Sequence, residues 1–390
     1  MSRFALLLIL CLVSPPSIAA QEPDSQKRFL QLALNEALSP TNALDEPGYI
    51  LRIVQNDGVL YQADSGAADI EQARHITDET VFHIASLSKQ ITGAALVHAV
   101  EDGLLSLDDP VGMWIPETRK YGDELTIAHL VYMTSGLTEY TDLPGPGGRP
   151  WTTFHYFTID DAIDASLSVD ALAFLPGAEW QYRNINYMLI ARITEKAYQA
   201  PFAEIVRGKI FTPLGMTSSL INDDITTIIP NRANAYLPRS KTVLSELFNG
   251  AGVRAKEGDE FAMIRRNSPH YGGSGVMTSM SDWTKWQSEI LTQSVFGDAF
   301  WAKMKDRRVF HHDKKNDAFG LVFGEVNGLQ SIWYSGGDID ASTYSVVIPE
   351  MKLAISCFSN NTLDSCEQKV QSAIDILVQH GKLNHRKQTP

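Results

Sequence analysis

Ser86 and Lys89 are the first residues of this sequence whose types and spacing could perform covalent chemistry. They stand three positions apart at the start of a stretch with helical periodicity that runs to Val100. On a helix, this spacing puts both side chains on one face, with their Cβ atoms about 5–6 Å apart. A serine hydroxyl becomes a strong nucleophile when a neighbouring base takes its proton, and a neutral lysine amine can be that base. An N-capping serine followed by a solvated lysine is the alternative, and the pair alone does not exclude it.

Two later motifs add groups that acyl transfer requires. Tyr182 and Asn184 form the only Tyr-x-Asn of the sequence, and they offer a proton relay and an amide that can hold a substrate or a lysine. Tyr334–Gly337 ends a predicted strand with two glycines, where the backbone can approach a ligand and a free N–H can complete an oxyanion hole. Each motif has a structural alternative, which is a tyrosine at the core edge for the first and a tight turn for the second.

Hydrophobic periodicity predicts the elements that must position these residues. An amphipathic helix and a hairpin around Asp57-Gly58 open the chain, helical stretches alternate with loops in the middle, and strands around Asn327-Gly328 precede a last helix. Strands at both chain ends with helices between them predict one sheet built from distant segments. The predicted elements are Phe29–Leu38, Tyr49–Gln55, Val59–Ala63, Ser86–Val100, Ile127–Met133, Ile159–Leu167, Tyr187–Tyr198, Phe202–Ile210, Phe319–Val326, Leu329–Ser335, Tyr344–Ile348, Leu353–Phe358 and Leu363–Gln379.

The order of the three motifs is far more specific than any one of them. A Ser-x-x-Lys, a Tyr-x-Asn about a hundred residues later and a glycine-rich strand about 150 residues beyond resemble the serine β-lactamase and penicillin-binding protein family. The motifs most resemble those of the class C β-lactamase-like serine hydrolases, and the resemblance covers roughly Tyr49 to Gln379. Further blocks similar to the family's are Phe82–Lys89, Gly103–Val111, Leu125–Leu130, Thr134–Leu137, Phe211–Met216 and Gly272–Val276.

The resemblance implies a role for each motif residue. Ser86 would be the acylated nucleophile, and Lys89 would activate it. Tyr182 would pass protons to the leaving group and assist the attack of water, while Asn184 would orient the substrate or the lysine. The backbone N–H groups of Ser86 and Gly337 would form the oxyanion hole. Acyl transfer requires the same set of a nucleophile, a base and paired N–H donors.

The resemblance also implies the architecture. It is an α+β fold of the β-lactamase/transpeptidase type, in which an antiparallel sheet is flanked by helices and an all-helical domain is inserted. The expected module spans residues 21–390, with a mixed part formed by about 21–103 plus 310–380 and a mainly helical insertion at about 104–309. We expect an acyl substrate that is a small molecule or peptide-like, while the oligomeric state stays open.

No metal or other cofactor is expected. Ten histidines show no ligand spacing, and no His-Glu-x-x-His occurs. The run His311–Asp313 lies in a polar stretch that favours a solvated loop. Ser274 lies in Gly-x-Ser-x-Val rather than Gly-x-Ser-x-Gly, so the pattern of an α/β-hydrolase elbow is not present there. Trp283 and Trp286 at helical spacing indicate packing.

One position departs from the family pattern. The third motif usually begins with Lys or His, and here Tyr334 takes that place before Ser335 and Gly336, the other two positions expected to contact substrate. A cation there would face the carboxylate of a β-lactam or an acyl-D-Ala-D-Ala peptide, and a tyrosine carries no charge at pH 7. The change favours esterase or other peptidase or amidase chemistry. The alternatives are a true β-lactamase or DD-carboxypeptidase, and an inactive homologue that binds peptidoglycan or a partner protein. Residues that could restore a positive charge are Arg183, Arg265 and Arg266.

The net charge and the N-terminal segment indicate what the protein does not bind and where it is located. The 390 residues carry 33 Lys+Arg against 46 Asp+Glu, and this net charge of −13 argues against nucleic-acid binding. Met1–Ala20 has Arg3, the apolar run Phe4–Val13 and small residues before a cleavage point, which predicts a secretory signal and a periplasmic or secreted protein. The apolar run is shorter than the roughly 20 residues that span a bilayer, although an uncleaved anchor is the alternative. No membrane span is expected after cleavage.

Two cysteines remain beyond the predicted signal. Cys357 and Cys366 could pair in an oxidising compartment. The alternative is that Cys357 is an unpaired buried residue of the apolar run Leu353–Phe358, and we prefer that alternative here.

Overall fold

A computed structural model describes residues 22–149, 151, 155–240, 261–266, 268, 270–307 and 317–383. The predicted signal Met1–Ala20 and the run His311–Asp313 lie outside the described residues.

The elements follow the predicted order, with helices between two groups of strands. The helices are α1 (Glu22–Leu38), α2 (Ser88–Glu101), α3 (Val111–Trp114), α4 (Ile127–Val131), α5 (Ile159–Leu167), α6 (Asn184–Tyr198), α7 (Phe202–Val206), α8 (Met280–Thr292), α9 (Gly297–Met304) and α10 (Cys366–Gln379). The strands are β1 (Tyr49–Gln55), β2 (Gly58–Ser65), β3 (Ala67–Asp69), β4 (Arg74–His75), β5 (Val81–His83), β6 (Leu220–Ile221), β7 (Ala235–Pro238), β8 (Phe261–Ile264), β9 (Val276–Ser279), β10 (Asp317–Ala318), β11 (Leu321–Val326), β12 (Leu329–Asp338), β13 (Ala341–Ile348) and β14 (Leu353–Ser359).

The main sheet is antiparallel and joins the two chain ends. Its strand order is β10-β11-β12-β13-β14-β1-β2, so the first strand of the chain pairs with the last, with Ile50 opposite Phe358. The hairpin between β11 and β12 turns at Asn327 and Gly328, both at positive φ (51° and 74°), the backbone that a two-residue hairpin loop favours. The predicted sheet built from distant segments and the α+β fold class are confirmed.

Helices cover both faces of this sheet. Alternate residues of β1 point to opposite sides, so that Leu51 packs in the cluster formed with α1 and α10, whereas Ile50 packs in the larger cluster that contains α2 and α8. Trp283 and Trp286 on α8 are fully buried in that larger cluster, which confirms their predicted packing role. Among the described residues, no helix is both long enough and apolar enough to cross a membrane.

A disulfide ties α10 to the sheet. Cys357 on β14 bonds to Cys366 at the start of α10, with the Cα atoms 5.3 Å apart, and both residues are buried. Our preference for an unpaired Cys357 is therefore wrong. The hydrophobic run of β14 was read correctly as buried, but the sequence does not show that the next helix begins over the same strand.

The segment between the two groups of main-sheet strands is mainly helical, but it is not all-helical as expected. It contains the pair β3-β4, the pair β7-β8 and a small sheet of order β5-β9-β6. Strands of two to four residues are too short to show a period in the sequence. The small sheet matters for the site, because β5 leads directly into Ser86 and pairs with β9, which follows a glycine-rich loop.

Candidate active site

Ser86 lies on a tight turn between β5 and α2. The predicted helix from Ser86 is α-helical only from Ser88, because Ala85–Leu87 forms a short 3-10 turn before it. Ala85 has a φ of 45°, a left-handed backbone that is uncommon for a residue with a side chain and that often marks functional turns. The turn leaves Ser86 half-buried in a cavity wall, while its neighbours Ala85 and Leu87 are buried.

Lys89 is fully buried one helical turn after Ser86. Its Nζ donates hydrogen bonds to Ser86 Oγ (3.1 Å), Asn184 Oδ1 (2.9 Å) and the Gly273 carbonyl oxygen (2.6 Å). The same Nζ lies 4.7 Å from the centre of the Tyr182 ring. The structure therefore brings a lysine amine into direct contact with a serine hydroxyl, and three acceptors fix the position of that amine.

Tyr182 and Asn184 approach Ser86 from the start of α6. The Tyr182 Oη and Ser86 Oγ atoms are 2.6 Å apart, and Tyr182 Oη also donates to Asn184 Oδ1 at 3.4 Å. The backbone N–H of Asn184 donates a hydrogen bond to the buried carboxylate of Glu139. Burial raises the pKa of Glu139, and the Asn184 N–H together with the positive charge of Lys89 opposes that rise.

The glycine-rich end of β12 lies against the serine turn. A Cβ added to Gly336 would meet Thr343 Oγ1 at 2.3 Å, the Ile84 carbonyl oxygen at 2.7 Å and the Ser86 backbone nitrogen at 3.1 Å. Only a glycine allows the strand to come this close to Ser86. Gly337 is exposed beside it, in the wall of the same cavity.

Tyr334 occupies the position where the family motif usually has a cation. It is 4% exposed, and its hydroxyl donates to Asp317 Oδ2 at 3.4 Å. Burial, followed by the charge of Asp317, raises the pKa of Tyr334 well above its usual range, so the side chain is neutral. Ser335, the next residue, is exposed in the cavity wall.

One cavity of about 730 Å³ connects these residues. This volume suits a small-molecule ligand, since such sites are typically about 300–1,000 Å³. Its wall includes Ser86, Tyr182, Asn184, Tyr334, Ser335 and Gly337.

The arginines that could supply a cation are differently placed. Arg266 lines the cavity and forms an ion pair with Asp338, which also lines it. Arg183 instead pairs with Asp142 at 3.0 Å, and Arg265 lines a different, smaller cavity. Of the three arginines, only Arg266 therefore reaches the cavity, with its charge balanced by a carboxylate.

Comparison with known proteins assigns the family. The family model described as Beta-lactamase matches residues 34–375. The chain belongs to the Beta-lactamase family. The resemblance drawn from the three motifs is thereby confirmed, and so is the enzyme class that it implied, a serine hydrolase.

Two curated proteins are similar to different shares of the chain. Penicillin-binding protein 4* of Bacillus subtilis (strain 168) is 30% identical over 329 residues, which are 82% of this chain and 70% of that protein. Esterase EstB of Burkholderia gladioli is 33% identical over 184 residues, 43% of this chain and 45% of EstB.

A solved structure has a fold similar to that of this chain. The D-amino acid amidase from Ochrobactrum anthropi SV3 superposes with a TM-score of 0.71 at 19% identity, covering 92% of this chain and 99% of that one. Similarity at this identity shows the fold alone, which is the expected β-lactamase/transpeptidase type.

Several residues at the site were not found from the sequence. The Gly273 carbonyl oxygen accepts a hydrogen bond from Lys89, and the Glu139 carboxylate accepts one from Asn184. Neither group belongs to a motif with an evident chemical role. His83 and Asp340 were also missed. His83 Nε2 lies 2.8 Å from Ser274 Oγ, and His83 Nδ1 lies 2.7 Å from Asp340 Oδ1. The sequence signals for these residues were the family-like blocks Gly272–Val276, which contains Gly273, and Phe82–Lys89, which contains His83.

Among the described residues, His83, Asp338 and Asp340 form the group whose arrangement could suit a metal ion, with ligand atoms within 4.8 Å of one another. Other partners already use these atoms. Arg266 pairs with Asp338, and both ring nitrogens of His83 are in hydrogen-bond contact, with Asp340 and with Ser274. The group is therefore satisfied by the protein itself.

Proposed function

We propose that this chain hydrolyses carboxylic esters or amides through an acyl-enzyme formed at Ser86. The observation that carries the proposal is that Ser86 Oγ lies 3.1 Å from Lys89 Nζ and 2.6 Å from Tyr182 Oη, at the wall of a cavity large enough for a small acyl substrate. A nucleophile and two proton-handling groups within hydrogen-bond reach are the geometry that nucleophilic catalysis requires.

The three hydrogen bonds that Lys89 Nζ donates use all the protons of an ammonium group, so Lys89 must first release one proton. Ser86 Oγ then attacks the acyl carbon while the Lys89 amine takes the hydroxyl proton. Tyr182 carries a proton to the leaving alcohol or amine as the bond to it breaks. Water then attacks the acyl carbon of the Ser86 ester, and its proton passes through Tyr182 and Lys89 to Ser86 Oγ. The bond between the acyl carbon and Ser86 Oγ breaks, and the acid leaves. Asn184 keeps Lys89 and Tyr182 aligned, because its Oδ1 accepts hydrogen bonds from both.

The tetrahedral intermediates of both steps carry an oxyanion, which paired N–H donors stabilise. In this proposal the donors are the backbone N–H groups of Ser86 and Gly337. Their support is the close approach of β12 to the serine turn at Gly336, next to Gly337 in the strand. Ser335, on the cavity wall, contacts the substrate.

The surroundings of Tyr334 favour a neutral acyl substrate over one with a carboxylate. Its side chain is buried and uncharged beside Asp317, and Arg266 on the same wall is paired with Asp338. An anionic substrate would therefore meet little uncompensated positive charge at this part of the wall. The similarity to an esterase over 184 residues points in the same direction.

The test is a substrate panel of p-nitrophenyl esters, D- and L-amino-acid amides and nitrocefin, with the fluorophosphonate labelling site mapped in parallel. We expect ester or amide hydrolysis that exceeds nitrocefin hydrolysis, and a label on Ser86. Ser86→Ala should lose activity by at least about 10³-fold, whereas Ser168→Ala, which changes an exposed serine at the end of α5, should not. Full activity of Ser86→Ala would refute the proposal, and faster nitrocefin hydrolysis would favour a β-lactamase.

We also propose that the chain is exported by residues 1–20 and that residues 21–390 form one hydrolase module. In this division residues 104–309 are inserted between the two parts that build the main sheet. The pairing of β1 with β14 and the buried Cys357–Cys366 disulfide support it, since disulfides persist in exported proteins. N-terminal sequencing of the protein recovered from the culture or periplasm tests the export.

A further inference from the structure

A second serine lies in the wall of the cavity that contains Ser86. Ser274 is half-buried and lines this cavity, in the glycine-rich loop before β9. Its neighbour Gly273 accepts the hydrogen bond from Lys89 Nζ, so Ser274 is one residue from a direct contact of the proposed base. The loop turns sharply, because Gly275 has a φ of 90°, a backbone that favours glycine.

The hydroxyl of Ser274 contacts a buried histidine that in turn contacts a buried carboxylate. Ser274 Oγ lies 2.8 Å from His83 Nε2, and His83 Nδ1 lies 2.7 Å from Asp340 Oδ1. His83 is 8% exposed and Asp340 is 7% exposed, so the contact between them is shielded from water, whereas the Ser274 hydroxyl lies at the cavity wall. A serine, a histidine and an aspartate in this sequence of contacts are recognised by geometry rather than by chain order, which here is His, Ser, Asp.

The hydrogen-bond partners indicate which nitrogen of His83 carries the proton. The backbone N–H of Gly275 donates to His83 Nε2 at 3.4 Å, so Nε2 is an acceptor. Burial would raise the pKa of Asp340, but its contact with His83 and the nearby guanidinium groups of Arg266 and Arg232 hold that pKa well below its usual range. The ionised Asp340 accepts the Nδ1 proton of His83. The single lone pair of Nε2 then faces the Ser274 hydroxyl at 2.8 Å and is shared with the longer contact from the Gly275 N–H at 3.4 Å, so Nε2 can take the serine proton.

We propose that Ser274, His83 and Asp340 form a second nucleophilic site in the same cavity, which accepts acyl or phosphonyl groups independently of Ser86. With a neutral carboxylic ester, Ser274 Oγ bonds to the acyl carbon and its proton moves to His83 Nε2. The bond to the alcohol then breaks, and His83 returns the proton to the leaving oxygen. Water hydrolyses the Ser274 ester in the reverse sense and releases the acid. Asp340 holds His83 in the tautomer that these steps require.

The test uses a fluorophosphonate probe on the full-length Ser86→Ala protein, with peptide mapping of the adduct. Ser274 Oγ would bond to phosphorus, fluoride would leave, and the proton would move to His83. We expect the label on Ser274 at a rate at least about 100-fold above that of the exposed Ser168, since a positioned base contributes at least that factor. A label on Ser274 no faster than that on Ser168 would overturn the proposal.

Two further variants in the Ser86→Ala background test the base. His83→Gln and Asp340→Asn should each slow the labelling of Ser274 by about 10²-fold or more, and Asp340→Asn keeps the size of the side chain in case the histidine variant unfolds. Unchanged labelling of Ser274 in a folded Asp340→Asn variant would contradict the role of Asp340. The proposed function is tested separately by the label on Ser86 in the wild type, so either proposal can fail without the other.

Discussion

Replacing Gly336 by alanine should disable the proposed oxyanion hole without removing any polar group. The added Cβ would lie 2.3 Å from Thr343 Oγ1 and 2.7 Å from the Ile84 carbonyl oxygen, both far inside van der Waals contact. The Thr343 side chain can rotate, but the Ile84 carbonyl belongs to the backbone that leads into the serine turn. The strand must therefore move away from Ser86.

The expected effects follow from this displacement. Overpacking of this kind costs about 1–3 kcal/mol of folding free energy. Loss of one aligned oxyanion donor lowers kcat by about 10²–10³-fold. Because the substrate still reaches the cavity, KM should change much less than kcat. Adding Thr343→Ala should restore part of the stability and little of the activity, since the contact with Ile84 persists.

The assay is steady-state hydrolysis of the best ester of the panel, together with urea unfolding of each variant. Gly208→Ala is the matched control, because it makes the same chemical change at an exposed position with no heavy atom within 4 Å of the added Cβ. The control should keep wild-type kinetics. A Gly336→Ala enzyme with kcat within about threefold of the wild type would refute the argument that the strand must lie against Ser86.

Three further variants address other parts of the structure. Ala85→Gly should raise the free energy of unfolding by about 1 kcal/mol, because glycine tolerates the positive φ, and an unchanged or lower value in chemical denaturation would count against strain at this turn. Cys366→Ser should lower the free energy of unfolding by roughly 2–3 kcal/mol, since the disulfide with Cys357 closes a loop of sequence separation 9. A reductant should destabilise the wild type but not this variant. Glu139→Gln should become more stable relative to the wild type as the pH rises above 4.5. Burial raises the pKa of Glu139, and only the wild type must ionise a buried carboxyl group as the pH rises. If the difference in free energy of unfolding between variant and wild type were the same at about pH 4 and about pH 7, this reasoning would be contradicted.

Local patterns were sufficient for the long elements of the fold. The hairpin around Asn327-Gly328 and the helices α5 and α10 have strong periodicity or turn residues, and the structure has them within a few residues of their expected bounds. The strands β6 to β9 were missed because they are short and are stabilised by partners far away in the chain. The start of α2 was placed two residues early, because the 3-10 turn at Ser86 depends on its contacts with β12.

The sequence by itself determined the three motifs and their order, and with them the family, because the types of these residues and their spacing along the chain are visible without coordinates. It also showed that Tyr334 replaces a cation. Only the tertiary structure decided what surrounds these residues. Glu139 behind Asn184, and the contacts of His83 with Ser274 and Asp340, join segments 45 to 257 residues apart. Such contacts form only when distant elements pack together in the fold, and no local pattern of residues encodes which distant side chain will be the neighbour.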